Sequence, residues 1–386
     1  MKFGAFYLHQ VPRPWDHESE HRYFKDALAQ VELLDRVGFD YFWVAEHHFL
    51  EEYSHSSAPE IFLAACTQRT QRIRLGHGIV QMPPLINHPA RVAERIATLD
   101  LISDGRIEFG TGEGACGSEL EGFHVPMDEK HAMWLEGLEA VSRMLVEVPF
   151  QGYHGKYLDL PIRNVVPKPY QRPHPPLWLA CSRHETILNA ARLGLGALCF
   201  AFVSPEEAAG WARDYYRTLE NECEPVAQAI NPNIAVMYPF FCDRDEARAR
   251  QIADENQGFF PYGLAHYWTA TDHQPGKTDL WDEYRNHPRE VNLPLGKTAC
   301  IGTPEQVRDL LRSFEGSGLD QIIFMSQTGK ISHQALCSSY ELFAREVMPE
   351  FAERERKRTA EKQAIVARLT EKLSKRPRRT PSATAA

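Results

Sequence analysis

Eight short apolar runs fall at residues 3–7, 40–45, 73–80, 106–110, 177–180, 197–202, 234–242 and 321–325, with helical periodicity between most of them. Strands that alternate with helices pair in parallel, because each helix carries the chain back to the starting edge of the sheet. Eight such units favour a closed (β/α)8 TIM barrel over an open doubly wound sheet, and a barrel is the expected fold. The helical segments carry their own start and stop signals. Phe24, Ala27, Leu28, Val31, Leu34 and Val37 share one helical face, and Gly38 stops that helix. Pro89 opens a second helix through Val92, Ile96 and Leu99, and Trp134, Leu138, Val141 and Leu145 mark a third. Thr303-Pro304-Glu305 opens another over Val307, Leu311 and Phe314, and Gly316-Ser317-Gly318 closes it.

Two connections are too long for simple barrel turns. Residues 148–176 are rich in Pro, Gly and aromatics, while 255–300 carry Phe259, Phe260, Tyr262, Tyr267, Trp268 and Trp281 without clear periodicity. A long aromatic connection in a compact domain is expected to pack as a lid. The barrel domain is expected over 1–350, followed at 351–386 by a tail that is a charged helix, then a disordered basic end at Arg376-Pro377-Arg378-Arg379. The net charge of −9 argues against a nucleic-acid-binding body. No apolar run approaches the ~20 residues of a membrane span. The eight cysteines show neither Cys-x-x-Cys pairs nor framework spacing, and the first residues read as a strand, so reduced thiols in a cytoplasmic protein are expected.

Chemistry concentrates first at Glu46, His47 and His48, which follow the apolar run Asp40–Ala45. Burying three adjacent titratable groups is costly unless they are paired. The carboxyl ends of barrel strands are also where such enzymes hold reactive groups. A histidine, with an unperturbed pKa of about 6.5, suits proton exchange there. A zinc site from His47, His48 and His77 is the metal alternative; adjacent histidines at a strand end point to opposite faces, so no metal is expected. Gly112 to Gly117 matches Gly-x-Gly-x-x-Gly, but it follows the fourth strand and Gly122 interrupts the helix a nicotinamide site would need.

Several ordered motifs share one pattern: Met1-Lys2-Phe3-Gly4, Ala45-Glu46-His47-His48-Phe49, His77-Gly78-Ile79-Val80-Gln81-Met82-Pro83, His88-Pro89-Ala90-Arg91, Ser103-Asp104-Gly105-Arg106, Ile301-Gly302-Thr303-Pro304-Glu305 and Val347-Met348-Pro349. Over roughly residues 1–350 the chain resembles the bacterial luciferase family of flavin-dependent monooxygenases. The resemblance implies a barrel that binds reduced FMN at the carboxyl ends of its strands. His47 takes the position of the family's catalytic histidine, with Glu46 as its orienting partner. Gly78 and Ile79 fall where relatives support the isoalloxazine ring, several of them through a cis peptide bond. The implied reaction joins reduced FMN with O2 and oxygenates a small organic molecule through a flavin hydroperoxide, releasing the second oxygen as water. NAD(P)H acting directly, or a separate NAD(P)H:flavin reductase, supplies the reduced flavin, and a homodimer is implied.

The phosphate site departs from the family. Gly110-Thr111-Gly112-Glu113-Gly114 places Glu113 where relatives carry arginine, and an acid there repels a phosphate. Gly112 and Glu113 remain candidates for flavin or substrate contact. Cys181, Ser182, Arg183 and Thr186 fall in the family's phosphate turn, where Arg183 and a helix start can hold an anion. Ser182 and Glu185 also have capping-box spacing. His131 replaces another basic position. Phe6, His48, Trp178, Phe200 and Met325, near strand ends, are expected to line a substrate pocket beneath the lid, which suits an aldehyde, ketone or terpene-like compound. Two alternatives stay open: a deazaflavin- or FMN-dependent hydride-transfer oxidoreductase of the same fold, and a non-catalytic flavin-binding relative.

Overall fold

A computed structural model describes residues 1–269, 273–286 and 298–374. All eight apolar runs contribute barrel strands: β1 (Lys2–Tyr7), β2 (Tyr41–Val44), β3 (Arg74–His77), β4 (Ile107–Gly112), β5 (Leu177–Cys181), β6 (Gly196–Cys199), β7 (Ile234–Cys242) and β8 (Gln321–Gln327). Each pairs in parallel with the next, and β8 returns to β1 with Gln321 beside Lys2, so the sheet closes. The third run is divided: β3 stops at His77, and ladder pairing with β4 resumes at Val80–Gln81. Between them lies the Gly78–Ile79 peptide, which is cis. A Cβ on Gly110 of β4 would overlap the His77 carbonyl, so the two backbones press together where the ladder breaks. Helix Pro304–Glu315 starts at its capping signal, where the Thr303 hydroxyl accepts from the Gln306 N–H.

Side chains alternate between the barrel interior and the helical layer. Trp43 of β2 meets Trp178 of β5 edge to face at 5.3 Å and donates from Nε1 to Gln321 Oε1 of β8 at 2.7 Å. Contacts between such separated strands cross the interior. On the outer face, Phe3 meets Phe343 at 5.2 Å and the Tyr7 hydroxyl donates to Gln30 Oε1 at 2.7 Å. Each buried ring of this kind stabilises the fold by roughly 1.5–3 kcal/mol.

The amino end of the barrel is filled and covered. Trp178, the second residue of β5, donates from Nε1 to Glu108 Oε2 at 2.6 Å, and Glu108 also pairs with Arg74. Trp178 therefore does not line a pocket at the mouth as expected; its early place in the strand puts it at the opposite end. Beneath it runs the helix Met348–Ser374, within which the expected boundary at 350 falls. Lys362 Nζ reaches Asp320 Oδ1 at 2.8 Å, and Leu369 is buried. A cavity of about 380 Å³ separates this helix from Tyr41, Trp178 and Gln321. The expected disordered end lies outside the described residues.

The carboxyl end carries the long connections. Within 255–300, helices Phe259–Thr269 and Leu280–Asn286 are described, and the rest of the expected lid is described only in part. Phe260 packs 6.0 Å from Tyr53, which follows β2, and 6.0 Å from Phe202, which follows β6. Those strands stand on opposite sides of the barrel, so this helix spans its mouth. Among the described residues, no helix is long and apolar enough to cross a membrane.

Candidate active site

Glu46, His47 and His48 follow β2 at the mouth, and the two histidines part company. His47 Nδ1 lies 3.1 Å from Glu119 Oε1, whereas His48 Nε2 lies 3.0 Å from Glu46 Oε1. Glu119 stands on the short helix Gly117–Gly122 after β4 and is fully buried. It also accepts from the His48 backbone N–H at 2.9 Å and from Gln81 Nε2 at 2.8 Å. Burial pushes its carboxyl up, but His47 and these N–H donors outweigh burial and hold it below the ordinary glutamate range. A carboxylate only accepts, so His47 presents Nδ1–H to it, and in the neutral ring Nε2 is left as the base.

The expected role of Glu46 needs correction. Its carboxylate accepts from the Gln81 backbone N–H at 3.0 Å and from Asn87 Nδ2 at 2.7 Å, besides facing His48. It therefore orients His48 and the segment after β3, while Glu119 serves His47. Burial disfavours a charged His48 ring, yet Glu46 outweighs it and raises the pKa. The zinc set is not assembled, because the two histidines face different carboxylates. His77 is buried with Nδ1 unpartnered, and burial lowers its pKa to about 3. Among the described residues no group of three or more His, Cys, Asp or Glu is placed to hold a metal.

After β3, the cis Gly78–Ile79 segment packs against β1 and β4. A Cβ on Gly78 would stand 2.9 Å from the Phe6 ring, and one on Gly112 would stand 2.7 Å from Ile79 Cδ1. Both glycines thus make room for protein side chains. Phe6 meets Phe200 edge-on at 5.4 Å, and Met325 pairs in register with Phe6. Phe6, Phe200 and Met325 come together; Trp178 does not join them.

The lid rests on the segment that carries His47. The Tyr53 and His47 rings lie 5.5 Å apart, and Phe260 of the lid stacks on Tyr53. The buried Glu52 carboxylate accepts from the backbone N–H groups of Leu280 and Trp281, and Glu51 accepts from that of Gly276 at 2.7 Å.

Just after β4, Glu113 is paired with two basic side chains. Its carboxylate lies 2.9 Å from His131 Nδ1 and 3.4 Å from Lys130 Nζ. Burial opposes its charge, but His131 and Lys130 outweigh this and hold it below the ordinary range. Helix His184–Arg192 starts one residue later than the Ser182–Glu185 spacing suggests. The Thr186 hydroxyl accepts from the Arg183 N–H at 3.3 Å, while Glu185 pairs with Arg192 at 3.1 Å. Cys181 is buried, with Sγ facing the Leu179 carbonyl at 3.3 Å, so it supplies no exposed group. Ser182 and Arg183 are exposed, and their side chains have no partner among the described residues. A hydroxyl, a guanidinium and a helix start left free in this way suit a phosphate monoester. A flavin nucleotide fits this donor set.

The profile of the luciferase-like monooxygenase family matches residues 1–321. The chain belongs to that family. This luciferase-like chain is 26% identical over 364 residues to the oxygenase component of a flavin-dependent trigonelline monooxygenase from Acinetobacter baylyi, covering 92% of this chain and 96% of that protein. The monooxygenase RslO1 from Streptomyces bottropensis superposes with a TM-score of 0.74 at 28% identity, covering 91% of this chain and all of that one. A coenzyme F420-dependent tetrahydromethanopterin reductase from Methanopyrus kandleri, at 21% identity and a TM-score of 0.65 over 91% of this chain and 99% of its own, shares the fold alone. Glu119, Lys130 and Tyr53, which meet His47 or Glu113 here, lie outside the motifs that the sequence analysis singled out.

Proposed function

We propose that this chain is an FMN-dependent monooxygenase of small, largely apolar molecules. The observation that carries the reading is the His47–Glu119 pair at the mouth. Reduced FMN, when bound, supplies the electrons that activate O2. Ser182, Arg183 and the start of helix His184–Arg192 would hold its phosphate. His47 Nε2 takes or returns a proton at the mouth, and Glu119 keeps the ring in the tautomer that leaves this nitrogen free. The lid excludes water from the reacting centre, and Phe6, Phe200 and Met325 offer an apolar wall. The relative named as an oxygenase component supports a separate flavin reductase as the source of reduced flavin. Ile61, Leu101 and Ile102 leave apolar side chains exposed on the helices after β2 and β3, which supports pairing of two copies there.

The test combines purified protein, FMN, NADH and a flavin reductase with a panel of aldehydes, cyclic ketones and terpenes under ¹⁸O2. One labelled oxygen in a product supports the proposal. Turnover without oxygen, or a deazaflavin released from the purified protein, would favour hydride transfer. Turnover unchanged in His47→Asn would remove the role given to that ring.

A further inference from the structure

Buried polar atoms in folded chains nearly always have partners, and an exception marks a place where water, an ion or a ligand belongs. Three exceptions collect on one side of the mouth. Gln10 Nε2, Gln257 Oε1 and Thr328 Oγ1 have no hydrogen-bond partner, and their residues are 1%, 7% and 0% exposed. They come from three stretches of chain: the segment after β1, the start of the lid, and the residue after β8.

Gly329 draws these stretches together. Its N–H donates to Gln10 Oε1 at 2.9 Å, and a Cβ on it would stand 2.9 Å from both Asn256 Oδ1 and the Trp281 ring of the lid. The adjoining Lys330 N–H donates to Asn256 Oδ1 at 2.8 Å. Residues 10, 256 and 328–330 therefore form one corner, roofed by Trp281, and Gln257 adjoins it next to Asn256. The amide orientations are fixed by backbone partners. Gln10 Oε1 receives the Gly329 N–H, and Gln257 Nε2 donates to the Phe240 carbonyl at 3.0 Å. Turning either amide would set donor against donor or acceptor against acceptor. The corner thus offers one free donor, one free acceptor and a hydroxyl able to serve as either. The three free atoms themselves are uncharged, and the neighbouring Lys330 ammonium lies over the Trp281 ring at 5.0 Å.

We propose that Gln10, Gln257 and Thr328 form a polar substrate subsite beneath the lid, for a neutral group that both donates and accepts hydrogen bonds: a hydroxyl, a lactam or a primary carboxamide. The word substrate rests on the monooxygenase reading; the binding chemistry of the corner does not. An otherwise apolar pocket with a few convergent polar groups fixes the orientation of what it holds. A purely hydrocarbon ligand would leave all three atoms unpaired, which disfavours its binding. Substrates of this chain accordingly carry a polar handle, held on the β7–β8–β1 side, while His47 stands after β2.

Three probes test this on the full chain by ligand-observed NMR titration: 2-piperidone, which donates and accepts; N-methyl-2-piperidone, which only accepts; and cyclohexanone. 2-Piperidone should bind roughly three- to tenfold more tightly than its methylated form, the ordinary worth of one hydrogen bond. Thr328→Val should weaken 2-piperidone by a similar factor without lowering the melting temperature, because the hydroxyl it removes has no protein partner. Gln10→Glu keeps the acceptor for Gly329 and removes the free donor that meets a ligand carbonyl, so it should weaken 2-piperidone and cyclohexanone alike, by roughly three- to tenfold. Equal affinities for the three probes, or binding of 2-piperidone that both variants leave unchanged, would overturn the proposal. FMN titration on the same samples separates the two readings: absence of FMN binding counts against the cofactor assignment and leaves the probe ranking to decide the subsite.

Discussion

His47 Nδ1 and Glu119 Oε1 stand 3.1 Å apart although 72 positions separate them in sequence. The pair joins the end of β2 to the short helix after β4, and it decides which nitrogen of the imidazole remains free. His47→Asn tests that division of labour. An asparagine amide can still donate to Glu119 but has no second nitrogen to act as a base. Turnover should fall by roughly a hundredfold or more, with unfolding in urea little changed.

Glu119→Ala should behave differently. It leaves His47, the His48 N–H and Gln81 without their acceptor, so stability should drop by about 1–3 kcal/mol. Urea titration of the variant beside His47→Asn distinguishes a structural deficit from a chemical one.

Arg183→Ala should weaken FMN by roughly tenfold or more, the worth of a charge-assisted hydrogen bond, while riboflavin binding stays unchanged. Fluorescence titration with both flavins reads the difference. Equal losses would place Arg183 away from the phosphate.

Glu113→Gln removes the carboxylate whose hydrogen bond raises the His131 pKa. The ring should then titrate closer to the ordinary value of about 6.5, visible by proton NMR. FMN should bind more tightly, because Lys130 would no longer face a neighbouring carboxylate.

Acid should destabilise the fold through two buried rings. Burial lowers both His9 and His77 to about 3 in the native state, against about 6.5 unfolded. Between those values the unfolded chain binds the protons and the native chain does not. Stability is therefore intact above the unfolded pKa and declines as pH falls toward the native one, by up to about 1.4 kcal/mol per pH unit for each ring. His48, with its raised pKa, contributes the other way: its stabilisation is present at low pH and is lost as pH rises through its native value. Urea unfolding between pH 7 and 4 should show the combined slope; a flat profile would contradict it.

The barrel was legible because each strand is an apolar run bounded by helical periodicity, and that pattern survives without tertiary information. His47 was legible because titratable groups at the end of such a run have little structural use there. Glu119 was not, since a glutamate in a glycine-rich loop carries no local mark of the histidine it meets. The same holds for Lys130, whose neutralising role depends on how helix Lys130–Met144 lies beside Glu113. Trp178 misled for another reason. An aromatic within a short apolar run looks alike from either end, and only strand register places it at the amino end beside Glu108. The sequence marked the helix Met348–Ser374 only as a charged tail beyond the barrel, but Lys362 finds Asp320 under the barrel. Alternation of charge along a helix does not reveal a carboxylate waiting elsewhere.

Glu51 and Glu52 hold the backbone of residues 276–281 from a stretch that begins with His47 and ends at Tyr53. Transplanting the cover of another barrel enzyme onto this one would strand those carboxylates. An exchange meant to change the molecules accepted would have to move both pieces as a cassette, and the proton-handling ring would travel with them.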